Sequence, residues 1–454
     1  MRLRMPTGAV LVKCYRAAQA IAIAGLMLAL AVVAPVASGA VGRARVAARP
    51  PMGWDSWGSL GCGVKESDVQ QAAKALVRSG MRDAGYRYVI VDDCWYAPNR
   101  SANGSLRADP RKFPSGIRAL GRFLHRRGLL LGIYESPGAQ TCAQVNGLYQ
   151  GSTGSLGHER QDARTFASWG VDYVKYDYCS RAGTLHDQIV AFTQMRDALR
   201  ATRRPIVYNI NPNSFHVATG ASYDWLRIAN LVRISRDLAP LWDTGSFDNW
   251  YLGIANAIAI DSRLAGRARP GHWNDPDELV VDVQEVRYAG TVGAPGLVAL
   301  VAPLLGRSRE VPTLEEMRTN FAMWAMMAAP LIADCDVRRM PLAQWHILLN
   351  RRLIAIDQDP LGRQGHPVGP DGRVWVKRLS HRAVAAALFN PTGVTITIAT
   401  SARDLGLAAS SRYSVLNLWT GKRSATRRVL RARVPAHGVA VFQLAPVARH
   451  RRHH

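Results

Sequence analysis

Between Pro50 and Asp359 the chain alternates between two hydrophobic rhythms. Short continuous apolar or β-branched runs read as buried strands, and longer stretches with an apolar residue every three or four positions read as amphipathic helices. Strands are expected at residues 86–91, 129–133, 171–176, 205–208 and 230–232. One helical stripe is Val69, Ala72, Ala73, Leu76 and Val77, behind a capping-box pattern Ser67-Asp68-Val69-Gln70. A second is Ile117, Leu120 and Leu124, stopped by Gly128, and a third is Ile189, Phe192 and Leu199. Gly170 after Trp169 is placed to end the helix before the 171–176 strand. Strands alternating with helices imply parallel strands and right-handed crossovers. A doubly wound sheet usually announces a glycine-rich phosphate turn, and neither GxGxxG nor Walker A occurs. Polar residues stand instead just past successive strands: Asp92-Asp93, Tyr134, Lys175 with Asp177, Asn209 with Asn211, and Arg233 with Asp237. That is the pattern of an α/β fold of the (β/α)8 TIM-barrel type, whose site is assembled from the C-terminal ends of its strands.

After Gln358-Asp359-Pro360-Leu361-Gly362 the rhythm changes. Short alternating strands at 374–376, 384–389, 394–398, 413–419, 429–434 and 439–444 follow one another with turns between them and no helix, which reads as a C-terminal antiparallel β-sandwich. At the other end, Arg2, Arg4, Lys13 and Arg16 precede an apolar run from Ala20 to Ala37 and the small residues Ser38-Gly39-Ala40, the pattern of a secretory signal peptide. The expected organisation is a signal at 1–40, the barrel at 41–362, the sandwich at 363–446 and a basic tail at 447–454. An exported protein without stable membrane insertion after signal cleavage follows.

The net charge of +25 comes from arginine excess and scarce acids. The arginines stand singly or in doublets, apart from the C-terminal run, so a nucleic-acid partner is not expected; a solvated basic surface attracted to anionic polymers is. Cys14 leaves with the signal, and the five cysteines that remain include no CxxC pair. Two disulfides with Cys335 as the thiol left over fit that number. His158, His216 and His272 are dispersed, so no metal site is expected, and nothing calls for a cofactor.

The expected barrel mouth is rich in carboxylates and aromatics, a combination suited to a sugar. Acidic groups accept from hydroxyls, and aromatic faces pack on pyranose rings. Seven motifs in order then resemble glycoside hydrolase family 27, the α-galactosidase or melibiase family. They are Pro50-Pro51-Met52-Gly53-Trp54-Asp55-Ser56-Trp57, Asp92-Asp93-Cys94-Trp95, Lys112-Phe113-Pro114-Ser115-Gly116, Gly154-Ser155-Leu156-Gly157-His158-Glu159 with Gln161-Asp162-Ala163, Val174-Lys175-Tyr176-Asp177, Trp273-Asn274-Asp275-Pro276-Asp277, and Gln358-Asp359-Pro360-Leu361-Gly362. The resemblance implies a retaining hydrolase that releases terminal α-D-galactose from oligosaccharides, polysaccharides or glycoconjugates. It places Asp177 on the nucleophile and Asp237 on the acid/base, with Lys175 lowering the pKa of Asp177. It also puts Asp92 and Asp93 on the 6- and 4-hydroxyls, Lys175 and Arg233 on further hydroxyls, Trp54 and Tyr134 on the walls, and Trp273 and Asp275 on the rim. The bridges it implies are Cys62–Cys94 and Cys142–Cys179.

The chain departs from the family pattern at four places. Asn209-Ile210-Asn211-Pro212-Asn213 stands where the family reads the sugar 2-position, and Asn211 is expected to meet a 2-hydroxyl. Asp55 follows Trp54 in place of Asn, Tyr178 follows Asp177 in place of Asn, and Glu135-Ser136-Pro137-Gly138 replaces Ser-Asp-Ala-Gly. These changes leave open a β-L-arabinopyranosidase, an α-N-acetylgalactosaminidase or an α-glucan-cleaving, isomaltodextranase-like enzyme on the same scaffold. A carbohydrate-binding protein without catalysis is the alternative outside the enzymes.

Overall fold

The computed structural model describes residues 46–180, 182–213, 217–247, 251–281, 312–408 and 412–447. The expected signal at 1–40, His216 and the basic run at 448–454 lie outside the described residues. Eight parallel strands form the first sheet: β1 (Met52–Asp55), β2 (Tyr88–Val91), β3 (Leu130–Glu135), β4 (Tyr173–Asp177), β5 (Val207–Asn211), β6 (Leu231–Arg233), β7 (Trp273–Asp275) and β8 (Leu331–Ala333). They run in the order β8-β1-β2-β3-β4-β5-β6-β7. Just beyond β7, Leu279 bridges in parallel to Ala333, and its N–H donates to Ile332 O at 2.7 Å, so the chain that leaves β7 returns to β8. Gly53 lets β1 lie close to β2, since a Cβ there would stand 2.3 Å from Tyr88 O.

Alternate strand residues face the barrel axis. Ile90, Tyr173, Val207, Leu231, Trp273 and Ile332 form one apolar cluster in that interior, with Val46 and Ala47 packed against it. Two residues further along each of these strands the inward row turns polar: Asp92, Lys175, Asn209, Arg233, Asp275 and Asp334. β1 and β3 add Asp55 and Tyr134 at the corresponding step after Gly53 and Gly132. This switch from an apolar layer to a polar one lifts the candidate residues to the C-terminal mouth.

The helices match the predicted stripes with adjustments. The first runs Glu66–Arg78, so Ser67 lies inside its first turn and the expected capping box does not form. Glu66 instead accepts from Gln70 Nε2 at 3.1 Å and Ser115 N at 2.9 Å. Ile117–His125 and Leu185–Ala201 are helices, and Gly170 ends Glu159–Trp169 in the left-handed conformation at φ 81°. The run before Cys335 is apolar, with no period to separate two elements. It divides into the helix Leu314–Met327, a left-handed Ala328 and strand β8. Pro330 accounts for the break, because its ring disfavours helical backbone at the residue before it.

The C-terminal strands are β9 (His366–Val368), β10 (Val374–Arg378), β11 (Val384–Phe389), β12 (Ile396–Ser401), β13 (Tyr413–Asn417), β14 (Arg423–Thr426), β15 (Val429–Val434) and β16 (Val439–Pro446). Six form an antiparallel sheet in the order β9-β10-β11-β16-β13-β14, and β12 pairs with β15. Strands β9 and β14 escape the hydrophobic pattern because both are short sheet edges, β9 half-buried and β14 largely exposed. Val376, Leu388 and Val415 from the large sheet pack with Ile398, Leu430 and Val434 from the pair. The other face of the large sheet covers Leu314–Met327, where Lys377 Nζ donates to Ala325 O at 2.7 Å.

Burial also leaves a pH signature. Asp261, at the end of the helix Ile254–Asp261, is fully buried, and that burial pushes its carboxyl up to about 7. A raised folded pKa contributes stability that is complete below the unfolded value and lost as pH rises through the folded one. Asp261→Asn should therefore raise the melting temperature at pH 8 and leave it nearly unchanged at pH 4, with a gap on the order of 3 kcal/mol. Thermal melts across that range would show a flat difference if the reading were wrong.

Candidate active site

Lys175 lies at the centre of the polar layer. Its Nζ stands 2.7 Å from Glu278 Oε1, 2.8 Å from Asp92 Oδ2 and 3.3 Å from Asp55 Oδ2. Burial opposes its charge, but Asp55, Asp92 and Glu278 together hold its pKa well above the usual lysine range. Burial likewise pushes Asp55 and Asp334 upward, while Lys175 draws Glu278 below its ordinary value against the opposing effect of burial. Asp55, Glu278 and Asp334 have carboxylate oxygens within 4.8 Å of one another. A cluster this acidic calls for positive charge, and the Lys175 ammonium at its side supplies it.

Arg233, 3% exposed, makes the second cationic centre. Its Nη2 lies 2.7 Å from Asp277 and 3.0 Å from Asp237. Asp277 is pushed up to about 7 by burial, against the pull of Arg233. The Asp237 side chain is 59% exposed, at the open edge of the mouth. Between the two cations, Asp177 closes β4. Burial pushes its carboxyl well up, while Lys175 and then Arg233 pull it down and Asp92 pushes it further up. The expected lowering by Lys175 is therefore present but outweighed, chiefly by burial. The backbone of Asp177 is fixed by Ser136 Oγ, which donates to its carbonyl at 2.8 Å. Its Oδ1 is buried without a hydrogen-bond partner among the described residues. A small cleft adjoins this centre, lined by Asp55, Lys175, Asn209, Arg233, Asp275 and Glu278 among others.

The remaining candidates divide. Asn211 sits beside Asp177 in the β4–β5 register, and its Oδ1 accepts from Asn213 N at 3.1 Å. Asp275 lines the pocket but is also a strut, accepting from Asn209 Nδ2 at 2.8 Å and from Asp277 N at 3.0 Å. Trp54 and Tyr134 are each 1% exposed; the Trp54 indole donates to Cys335 O and the Tyr134 hydroxyl to Cys142 Sγ, both at 2.7 Å. Three expectations are corrected. Trp54 alternates with the inward Gly53 and Asp55, so it lies in the core outside the barrel and forms no wall of the site. Asp93 alternates with the inward Asp92 and points away from the barrel axis, accepting from Cys94 N, Ala143 N and the Tyr96 hydroxyl, so the protein takes up three of its roughly four acceptor sites. Trp273 is not on the rim. It is one step below Asp275, in the apolar layer, with its indole N–H donating to Ala47 O at 2.8 Å.

The departures from the family pattern divide in the same way. Tyr178 packs on Phe192 with ring centroids 6.0 Å apart, away from the mouth. Glu135 is fully buried on the outward side of β3 and feels Asp162 and Arg100. Asp55 and Asn209 do line the pocket. Sequence reasoning missed Glu278 and Asp277, which line the pocket, and Asp334, which stands beside Asp55 and Glu278. Glu278 and Asp277 sit within or just past the 273–277 motif, and Asp334 is two residues beyond the interior residue Ile332. The implied disulfides Cys62–Cys94 and Cys142–Cys179 are both present, and Cys335 is a buried thiol outside them.

With this geometry in hand, the comparisons agree. The family model described as alpha galactosidase A matches residues 49–316 and 310–359, and its C-terminal beta sandwich domain matches residues 369–444. Alpha-galactosidase A of Cellvibrio japonicus is 34% identical over 446 residues, covering 93% of this chain and 98% of that protein. An alpha-N-acetylgalactosaminidase of Gallus gallus is 35% identical over 395 residues, covering 83% of this chain and 88% of that protein. The crystal structure of alpha-galactosidase I from Mortierella vinacea superposes with a TM-score of 0.75 at 29% identity, covering 88% of this chain and 97% of that one. The chain belongs to the α-galactosidase family, glycoside hydrolase family 27, and is a glycosyl hydrolase that acts on α-galactosides.

Proposed function

We propose that the chain is an exported retaining α-galactosidase in which Asp177 is the nucleophile and Asp237 the acid/base. Asp177 attacks the anomeric carbon while Asp237 gives its proton to the departing glycosidic oxygen, leaving galactose joined to Asp177 through an ester. Asp237 then takes a proton from water, the water oxygen attacks the same carbon, and the ester bond breaks, so two inversions leave the configuration retained. The observation that carries this reading is the contrast between the two carboxylates. Asp177 presents a buried, unpartnered oxygen beside two cations, and Asp237 is 59% exposed and paired with Arg233. Asp92 and Lys175 would hold ring hydroxyls, and Asn211, with Oδ1 committed to Asn213, would meet a 2-hydroxyl through Nδ2. Export rests on the N-terminal pattern and agrees with the two disulfides, which persist in oxidising compartments. Among the described residues no helix is long and apolar enough to cross a membrane.

Side-by-side hydrolysis of aryl α-galactoside, aryl β-L-arabinopyranoside and aryl α-N-acetylgalactosaminide tests the sugar. The α-galactoside should turn over fastest, and faster turnover of either of the others would overturn the assignment. The balance around Asp177 gives a pH prediction. Since burial raises its pKa and Lys175 opposes the rise, Lys175→Met should raise it further and move the acid limb of kcat/KM to higher pH. An unmoved limb would separate Lys175 from the nucleophile.

A further inference from the structure

The net charge of +25 is distributed unevenly over the fold. Residues 46–362 carry 36 arginines and lysines against 31 acids, whereas residues 363–447 carry 13 against 2, with no glutamate. Both of those acids are engaged: Asp371 pairs with Arg373, and Asp404 accepts from Ser401 N and Oγ at 3.0 and 2.7 Å. The excess is densest around one ladder. On β15, Arg431 and Arg433 are exposed while Leu430 and Val434, on the opposite side of the strand, are buried in the sandwich. The register sets them against Ala399 and Thr397 of β12, which are also exposed and carry no charge. Arg427 and Arg428 lead into β15, and Arg428 O accepts from Ala402 N at 2.9 Å, which brings the exposed Arg403 alongside.

We propose that the outer face of the β12–β15 ladder is a docking surface for an anionic polysaccharide, holding the enzyme on an acidic polymer. Four arginines within seven residues of chain, with no acid among them, set up a positive potential that a polyanion neutralises with release of its counterions. Arginine at a sheet edge also discourages edge-to-edge pairing. That accounts for Arg423 on β14, but Arg431 and Arg433 project from a face. The segment from Lys422 to Arg433 contains no aromatic side chain on which a nucleic-acid base could stack. Its one exposed large apolar residue, Val429, is too little to anchor a lipid surface. A sugar polymer is the partner that fits both the charge and the enzyme's substrate class.

The test is binding of the full-length protein to polygalacturonate, with neutral galactomannan, duplex DNA and anionic phospholipid vesicles measured at the same salt. Replacing Arg427, Arg428, Arg431 and Arg433 together by Gln should weaken polygalacturonate binding roughly tenfold or more and flatten its salt dependence. Melting temperature and turnover of an aryl α-galactoside should stay at parental values. Arg431→Gln with Arg433→Gln alone should give a smaller loss in the same direction. The control removes four exposed barrel arginines, Arg122, Arg126, Arg160 and Arg164, and should bind almost as the parent does. Equal losses in the control and the sandwich variant would make this general charge attraction and overturn the proposal. So would unchanged binding by the sandwich variant, or tighter parental binding to DNA or vesicles than to polygalacturonate.

Discussion

Asp177→Ala is expected to lower turnover of an aryl α-galactoside by about four orders of magnitude or more, the scale seen when a nucleophile is removed. The fold should survive, because the group lost is a carboxylate whose charged form burial already disfavours. The melting temperature should therefore stay the same or rise, which separates a chemical loss from a structural one. The variant also makes a stereochemical prediction. With Asp177 absent, added azide can occupy the nucleophile's position, attack from the β face and yield β-galactosyl azide. Near-parental activity, or azide without effect on the product, would count against the assignment.

Asp237→Ala should behave differently. Loss of general acid catalysis costs about 10²–10⁴-fold, and the cost falls on substrates whose leaving group needs a proton. A dinitrophenyl galactoside should therefore lose far less than melibiose in its first step. Azide should then intercept the galactosyl ester on Asp177 from the α face and yield α-galactosyl azide, the opposite anomer from the first variant. Equal losses on both substrates would remove Asp237 from the proton transfer. Because Asp237 is largely exposed and pairs only with Arg233 among the residues placed here, its removal should leave stability almost unchanged.

Much of the barrel was legible because each strand begins apolar and ends polar. Five of the eight strands announced themselves in that way, and Lys175, Asp177 and Arg233 followed directly. Strand β8 did not. Its three residues come shortly after a helix that is buried nearly all round, with only apolar residues between, and two such apolar elements have no period to separate them. With β8 unseen, Asp334 was unseen too. Trp273 was misplaced for a related reason. A motif resembling the family's marks a region, but whether a residue lies in the apolar layer or the polar one depends on its phase along the strand. Counting back two from Asp275 puts Trp273 in the layer of Ile90 and Leu231. Asp93 shows a different limit. It has the composition of a sugar ligand, yet the hydroxyl and amides that take up its oxygens come from Tyr96 and Ala143, which only the folded loop brings near. The lowering of the Asp177 pKa by Lys175 was sound as a pairwise effect, but desolvation and the competing carboxylates around Lys175 lay beyond that pair.

The central claim is that galactose passes through a covalent bond to Asp177. The direct measurement is to quench the enzyme with a fluorinated galactosyl fluoride that forms the ester quickly and releases it slowly, then map the labelled peptide by mass spectrometry. One fluorogalactosyl group on the peptide that contains Asp177, turning over on incubation with an acceptor, is the predicted result. A label on another carboxylate, or an unlabelled enzyme that releases inverted product, would contradict it.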